Sequence, residues 1–384
     1  MQKKLKILTI IGARPQIIKA SAISRAIRNQ YQDSIHEIIV HTGQHYDANM
    51  SEVFFNELQI PQPDYNLNVG SGRHGIQTAE MIKGIEEIIV KENPDAMIVY
   101  GDTNSTLAGA IAASKLHCKI IHIEAGLRSY NKSMPEEINR ILCDHCSTLL
   151  FAPTQTGLQN LIKEGFVANQ LPPFSADHPS IYHCGDIMFD NTLFFSAIAS
   201  KRSEILQQND LTQKAYALAT IHRDNNTDDT ERLSSIFNAL LRIADTQQID
   251  FVIPLHPRTA KILKENLNPI IYQRLILNVR IKIIEPVSFL DMIALEQNAV
   301  LVVTDSGGVQ KEAYFLQKPC IILRPQTEWV ELTKHGSSII ADADETKIVE
   351  AASFLLSKKF TFFPPVFGDG KAADFICGEI LKNI

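Results

Sequence analysis

The sequence predicts an α/β protein with parallel sheets, on three observations. Short, nearly continuous apolar runs alternate with helical patterns along almost the whole chain, as strands buried on both faces of a parallel sheet require. The 384 residues are too many for one ordinary domain and suit two, each with a full core. One stretch shows the plan in miniature: Ala299-Val-Leu-Val-Val-Thr304 breaks into Asp305-Ser306-Gly307-Gly308, and a helical pattern opens with Val309-Gln-Lys-Glu-Ala. Two glycines let the backbone come close, and the first N–H groups of a helix favour an anion. The same turn also serves as an ordinary βα connection with Asp305 or Ser306 as N-cap, so other residues must decide.

Taken in order, Ile7–Ile11 reads as the first strand, and Gly12-Ala-Arg-Pro-Gln16 turns it into a helix with Ile18, Ala22, Ile23, Ala26 and Ile27 on one face. Pro15 fits the first helical turn. Glu37–His41 follows as strand, then Met50–Leu58 and Thr78–Glu92 as helices. Ala96–Tyr100 (strand), Ser105–Leu116 (helix), Lys119–Ile123 (strand) and Pro135–His145 (helix) continue the rhythm. Thr148–Phe151, Gln155–Glu164 and Ile181–His183 read as strand, helix and strand, and the proline-rich Asn169–Pro179 as a loop. A long helix to about Gln207 leads into a second set of strands: Tyr216–Ile221, Phe251–Pro254, Lys282–Ile284, Val300–Thr304 and Cys320–Leu323. Two such sets make two Rossmann-like domains facing across a cleft, with ligands expected outside the carboxyl ends of the strands. The last segment, Lys371–Ile384, carries Ala372, Phe375, Ile376 and Ile380 at helical spacing and needs an apolar surface.

Composition narrows the function. A hydrophobic content of 45% and a charged content of 21% describe a globular protein, and a net charge of −6 argues against nucleic acid as partner. No apolar run reaches membrane-spanning length and the start shows no signal region, so a cytoplasmic protein is expected. Cys143 and Cys146 form a C-x-x-C within a helical pattern, with no second pair at zinc-binding distance; buried or half-buried thiols are expected and no metal site. Neither G-x-G-x-x-G after the first strand nor G-x-x-x-x-G-K-[ST] occurs, which argues against a dinucleotide cofactor and a P-loop.

Polar clusters sit where strands end: Gly12-Ala-Arg14-Pro, Thr42-Gly-Gln44-His45, Gly101-Asp102-Thr-Asn, Glu124-Ala-Gly-Leu-Arg128, His222-Arg223 and His256-Pro-Arg258. Met134-Pro-Glu136-Glu137-Ile-Asn-Arg140 opens a helix. Singly, each has a structural explanation as cap, dipole partner or satisfied histidine. Jointly they bring carboxylates and cations to one edge of adjacent strands, which favours a site.

These motifs resemble the non-hydrolysing UDP-N-acetylglucosamine 2-epimerases. The likeness rests on Gly12-Ala-Arg-Pro-Gln-Ile-Ile-Lys19, Gly101-Asp-Thr-Asn-Ser-Thr106, His122-Ile-Glu-Ala-Gly-Leu-Arg128 and Pro135-Glu-Glu-Ile-Asn-Arg140. Thr220-Ile-His-Arg223, Thr304-Asp-Ser-Gly-Gly308 and Thr327-Glu328 continue it through the second half. The resemblance implies a glycosyltransferase-B-like fold closing on a UDP-sugar. Residues 1–185 with 366–384 would form one domain, the C-terminal helix returning to it, and 186–365 a UDP-binding domain. Asp102, Glu124 and Glu136 match the catalytic carboxylates, and His222, grouped with them, would meet the diphosphate together with Arg14. Ser306, Gly307 and Gly308 would bind the phosphates and Glu312 the ribose hydroxyls; Lys19 and Arg140 line the site. Arg223 and His256, at strand ends of the second half, complete the substrate-binding candidates. A UDP-sugar is the expected partner in a homodimer, with no metal or redox cofactor.

The chemistry explains the carboxylates. Carbon 2 of the sugar carries a hydrogen that is hardly acidic until UDP departs from carbon 1 and leaves positive charge on the ring. A carboxylate can then remove it to give a 2-acetamidoglucal, and return of a proton to the opposite face with re-addition of UDP inverts the centre. Ala13 and Gln16 stand where many members have Thr and Glu. The segment Gln44-His45-Tyr46-Asp47 departs from the form used by members that bind a second substrate molecule as activator, so no allosteric UDP-sugar site is implied. Thr-Gly-Gln-His and Thr-Glu-Trp-Val-Glu resemble a branch that includes epimerases of UDP-2,3-diacetamido-2,3-dideoxyglucuronate, which makes a modified UDP-sugar the alternative substrate. A hydrolysing 2-epimerase, a glycosyltransferase on the same fold and a non-catalytic sensor are the further alternatives.

Overall fold

The computed structural model describes residues 4–43, 61–211, 215–255, 257–358, 360 and 362–384. Two compact units divide the chain: Met1–Asn191 with Pro365–Ile384, and Thr192–Pro364.

Unit 1 is built on a seven-stranded parallel sheet. Its strands are β1 (Leu5–Ile11), β2 (Ile35–His41), β3 (Tyr65–Asn66), β4 (Ala96–Tyr100), β5 (Lys119–Ile123), β6 (Leu149–Ala152) and β7 (Ser180–His183). They lie in the order β3-β2-β1-β4-β5-β6-β7, every pair parallel. All five residues of β4 are buried, as its unbroken apolar sequence demands for a central strand. Helices α1 (Arg14–Ala26), α2 (His74–Glu92), α3 (Asn104–Lys115), α4 (Pro135–Cys146) and α5 (Gln155–Lys163) connect the strands. Leu8, Val40, Met97 and Val99 from the sheet pack with Met81 and Ile85 of α2 in one core. The chain enters α3 through Thr103, whose hydroxyl accepts the Thr106 N–H, and α1 through Pro15.

Helix α6 (Ile187–Arg202) and the one-turn α7 (Ile205–Gln208) stand where one helix to Gln207 was expected; Ser203 breaks it, its hydroxyl turned to Asp291 and accepting the Ile205 N–H. Unit 2 carries a six-stranded parallel sheet in the order β10-β9-β8-β11-β12-β13. These strands are β8 (Tyr216–Thr220), β9 (Asp250–Pro254), β10 (Ile281–Ile284), β11 (Leu301–Thr304), β12 (Cys320–Ile322) and β13 (Ser338–Ile340). Its helices are α8 (Asp224–Thr227), α9 (Thr230–Gln247), α10 (Pro257–Asn266), α11 (Pro269–Leu277), α12 (Phe289–Asn298), α13 (Gly307–Phe315), α14 (Val330–Lys334) and α15 (Glu345–Ser357). Ala219, Phe251 and Val303 meet Phe237, Leu240 and Ile348 in its core.

The last helix, α16 (Ala372–Asn383), belongs to unit 1 and packs on α1. The Phe375 ring meets Phe151 and Tyr182 edge-on, at centroid distances of 6.5 and 6.0 Å. Among the described residues no helix is long and apolar enough to cross a membrane. The Met50–Leu58 helix and the segment from Gln44 to Asp47 fall outside the described residues, as does the His256 side chain.

Candidate active site

In each sheet the strand order reverses at one place, between β1 and β4 in unit 1 and between β8 and β11 in unit 2. Crossover connections leave these two points in opposite directions, which opens a crevice at the carboxyl ends of the strands. Most of the candidate residues sit there.

In unit 1 the turn after β1 is held by Gln16. Its Oε1 accepts the Ala13 N–H (3.1 Å), and its Nε2 donates to the Tyr100 carbonyl (3.0 Å) and to Thr106 Oγ1 (2.9 Å). The start of α1 is thereby joined to the end of β4 and the start of α3. Arg14 is exposed at the first position of α1, and Lys19 lies further along the helix.

The Asp102 carboxylate follows β4, with Oδ2 2.6 Å from Arg140 Nη2. Arg140 Nη1 donates to Glu137 Oε2 (2.7 Å), and the Glu137 carboxylate also accepts the N–H groups of Ser129 and Tyr130 (2.9 and 2.8 Å). Burial pushes Glu137 up, but those N–H groups and the guanidinium together hold its carboxyl below the usual range. Asp102 goes the other way: desolvation raises it, and Arg140 and Lys19 only partly oppose this. A carboxyl of raised proton affinity beside a fixed cation suits proton transfer.

Glu124 follows β5, buried, and forms an ion pair with Lys19. Its φ of +73° is a left-handed conformation that a non-glycine residue holds only where its surroundings impose it. Gly101 leaves room for this pair: a Cβ there would come within 2.9 Å of Glu124 Oε2 and 3.1 Å of Lys19 Nζ, and the residue's φ is +62°. Glu136 stands exposed in the first turn of α4, one turn from Arg140 on the same helix. The structure thus brings Asp102, Glu124, Lys19 and Arg140 together, while Glu136 reaches toward solvent beside them.

In unit 2, Asp305 is not the helix cap. It is wholly buried, and its carboxylate accepts the N–H groups of His222 and Arg223 (3.1 Å each) and the Asn226 side-chain amide (3.1 Å). The cap of α13 is Ser306, whose Oγ accepts the Val309 N–H at 3.4 Å. Asp305 therefore fixes the end of β8 against the end of β11, and the exposed His222 ring keeps Nδ1 3.2 Å from Asp305 Oδ1. Gly307 and Gly308 supply the first two N–H groups of α13, and no acceptor among the described residues meets them. Glu312 is half-buried one turn along, and Arg223 is exposed after β8.

Sequence reasoning missed several groups. Gln16, Glu137 and Asp305 are buried braces of the site. Glu328 accompanies Gly307, where a Cβ would lie 2.7 Å from its Oε1, and Arg324 pairs with it at 2.9 Å. Glu137 and Glu328 lay inside quoted motifs; burial alone sets Glu137 apart from its neighbour Glu136. Cys143 and Cys146 are free thiols in α4, buried and half-buried, and desolvation raises both.

The family model of UDP-N-acetylglucosamine 2-epimerase matches residues 27–381. A UDP-N-acetylglucosamine 2-epimerase homolog of Methanococcus maripaludis is 47% identical over 99% of this chain and 100% of its own. The UDP-2,3-diacetamido-2,3-dideoxy-D-glucuronate 2-epimerase of Pseudomonas aeruginosa is 48% identical over 98% of this chain and 100% of its own. Among solved structures, UDP-GlcNAc 2-epimerase of Methanocaldococcus jannaschii in complex with UDP-GlcNAc and UDP is 42% identical, covers 99% of this chain and 100% of its own, and gives a TM-score of 0.81. The expected glycosyltransferase-B-like α/β fold is met by that likeness. The chain belongs to the UDP-N-acetylglucosamine 2-epimerase family, whose members are isomerases of UDP-sugars.

Proposed function

We propose that the protein interconverts UDP-N-acetylglucosamine and UDP-N-acetylmannosamine by eliminating UDP to a 2-acetamidoglucal and adding it back. The observation that carries the reading is the pairing in unit 1. Asp102 with Arg140 and Glu124 with Lys19 place two carboxylates, each beside its own cation, at the carboxyl edge of neighbouring strands. One removes the carbon-2 proton and the other delivers a solvent-derived proton to the opposite face, with Glu136 as the third acidic group. Lys19 and Arg140 each stand beside one of the two carboxylates and line the sugar site. In unit 2 the N–H groups of Gly307 and Gly308, with Ser306, His222, Arg223 and His256, receive the diphosphate, Arg14 contributes a further cation, and Glu312 takes the ribose hydroxyls. The active assembly in this reading is a homodimer.

A second substrate is favoured by the 48% identity to the Pseudomonas aeruginosa enzyme, which makes UDP-2,3-diacetamido-2,3-dideoxyglucuronate the alternative. Incubation without acceptor with a panel of UDP-2-acetamido sugars, with and without a 6-carboxylate, tests both. An equilibrating 2-epimer pair identifies the substrate. No turnover of any of them until an acceptor is added would point to group transfer instead.

A further inference from the structure

One buried pair links the three elements that carry the candidate carboxylates. The His122 ring, on β5, is wholly buried. Its Nε2 lies 2.8 Å from the carbonyl oxygen of Gly101, the residue before Asp102. Its Nδ1 lies 2.7 Å from Oδ1 of Asp144, which is equally buried on α4. The other Asp144 oxygen accepts the Gly126 N–H (3.1 Å) and Arg128 Nη2 (2.7 Å). Asp144 stands one turn from Arg140 and two from Glu136 on α4, and His122 is two residues before Glu124.

A carbonyl and a carboxylate only accept, so these two contacts call for a proton on each ring nitrogen. A buried charge of this kind needs partners, and it has them. Asp144 neutralises His122, and Arg128 forks onto Glu164 at 2.7 Å through both Nε and Nη2. Two cations and two carboxylates leave the cluster balanced. Burial opposes the ionised Asp144, yet the bonds from His122 and Arg128 hold its carboxyl below the usual range.

The backbone here needs such a clamp. Gly101, Glu124 and Gly126 all have positive φ, at +62°, +73° and +78°. For Glu124 that conformation persists only under external constraint. The N–H groups of Glu124 and Ala125 both donate to the Phe151 carbonyl (3.0 Å each), and on either side the His122–Asp144 pair grips the Gly101 carbonyl and the Gly126 N–H. Between those grips lie Asp102 and Glu124.

We propose that His122 and Asp144 are positioning residues, an imidazolium–carboxylate clamp that sets the separation of Asp102 and Glu124 without touching substrate. The proposal rests on the reading of those two carboxylates as the proton-transfer groups. Two measurements test it. In 15N-histidine-labelled protein at neutral pH, both His122 ring nitrogens resonate as protonated. In His122→Gln, kcat falls about 100-fold while KM and UDP affinity stay within about twofold of wild type. A neutral tautomer in the spectrum overturns the clamp, and so does wild-type kcat in a folded His122→Gln protein. Should that variant not fold, Asp144→Asn carries the same readout: the proposal requires a neutral His122 and a reduced kcat, and unchanged kcat overturns it. Wild-type turnover in Asp102→Asn and Glu124→Gln would instead defeat the reading of the carboxylates, whatever the spectrum shows.

Discussion

Arg140 spans two carboxylates, 2.6 Å from Asp102 through Nη2 and 2.7 Å from Glu137 through Nη1. Glu137 is itself anchored by two backbone N–H groups, so the fork is fixed before it meets Asp102. A lysine keeps the charge and loses the fork. Arg140→Lys should lower kcat by about 10-fold or more with UDP affinity unchanged. Steady-state kinetics beside UDP calorimetry checks this, and equal losses in both would place Arg140 on the nucleotide.

The carboxylates themselves should matter more. Asp102→Asn, Glu124→Gln and Glu136→Gln should each reduce turnover by about 1,000-fold and leave UDP binding largely intact. Glu136 is the sharpest of the three, because it is the exposed one. Wild-type turnover in Glu136→Gln would remove it from the chemistry.

UDP affinity should respond to the cations at the strand ends. His222→Ala and Arg14→Ala should each weaken it by about 10-fold, the order of one charge-assisted hydrogen bond. Unchanged affinity in both would move the diphosphate elsewhere.

Two buried groups give stability opposite pH slopes. Asp190 accepts the N–H groups of Ala372 and Ala373 at the start of α16, and burial pushes its carboxyl up to about 6. The folded value lies above the unfolded one, so its contribution is complete below the ordinary carboxylate range and is lost as pH rises through about 6. Burial pushes His41 down to about 4, with Nδ1 accepting the Gly43 N–H at 2.9 Å. Its folded value is depressed, so its contribution is present above pH 6.5 and lost as pH falls through about 4. Each is worth about 3 kcal/mol by the usual conversion. Urea unfolding from pH 4 to 7 should therefore show Asp190→Asn gaining stability relative to wild type as pH rises, and His41→Asn gaining it as pH falls. Parallel curves for wild type and variants would contradict both.

Glu296, on α12, is wholly buried, and neither carboxyl oxygen has a hydrogen-bond partner among the described residues. Burial, and after it the charge of Glu312, raises it well above the carboxylate range, so the fold holds it neutral. Replacing an unpartnered buried acid with an apolar side chain of similar length removes a desolvation cost. Glu296→Met should stabilise unit 2 by about 1–2 kcal/mol, read from the urea midpoint. Destabilisation would show that the carboxyl has a structural partner.

The sequence displayed what local pattern encodes. Ala96–Tyr100 and Lys119–Ile123 were bounded as the structure has them, because an unbroken apolar run between polar turns has few other homes. Tyr65–Asn66 and Ser338–Ile340 were not legible, since two or three residues leave no periodicity to read. Helix α2 starts at His74, four residues before its apolar stripe becomes visible. Motifs located Asp102, Glu124 and His222 at strand ends, yet not their supports. Glu136 and Glu137 are the same residue type side by side, and only the helix face separates an exposed acid from a buried brace. The bonds of His122 to Asp144 and of Asp305 to His222 join residues 22 and 83 positions apart, which no local pattern reveals.

The most direct test is turnover of the UDP-sugar in heavy water, read by NMR at carbon 2. Elimination and re-addition predict one solvent deuterium at carbon 2 of the epimerised product, with both epimers still joined to UDP. Epimers that retain the original hydrogen, or a nucleotide-sugar that comes through unlabelled and uninverted, would contradict the account.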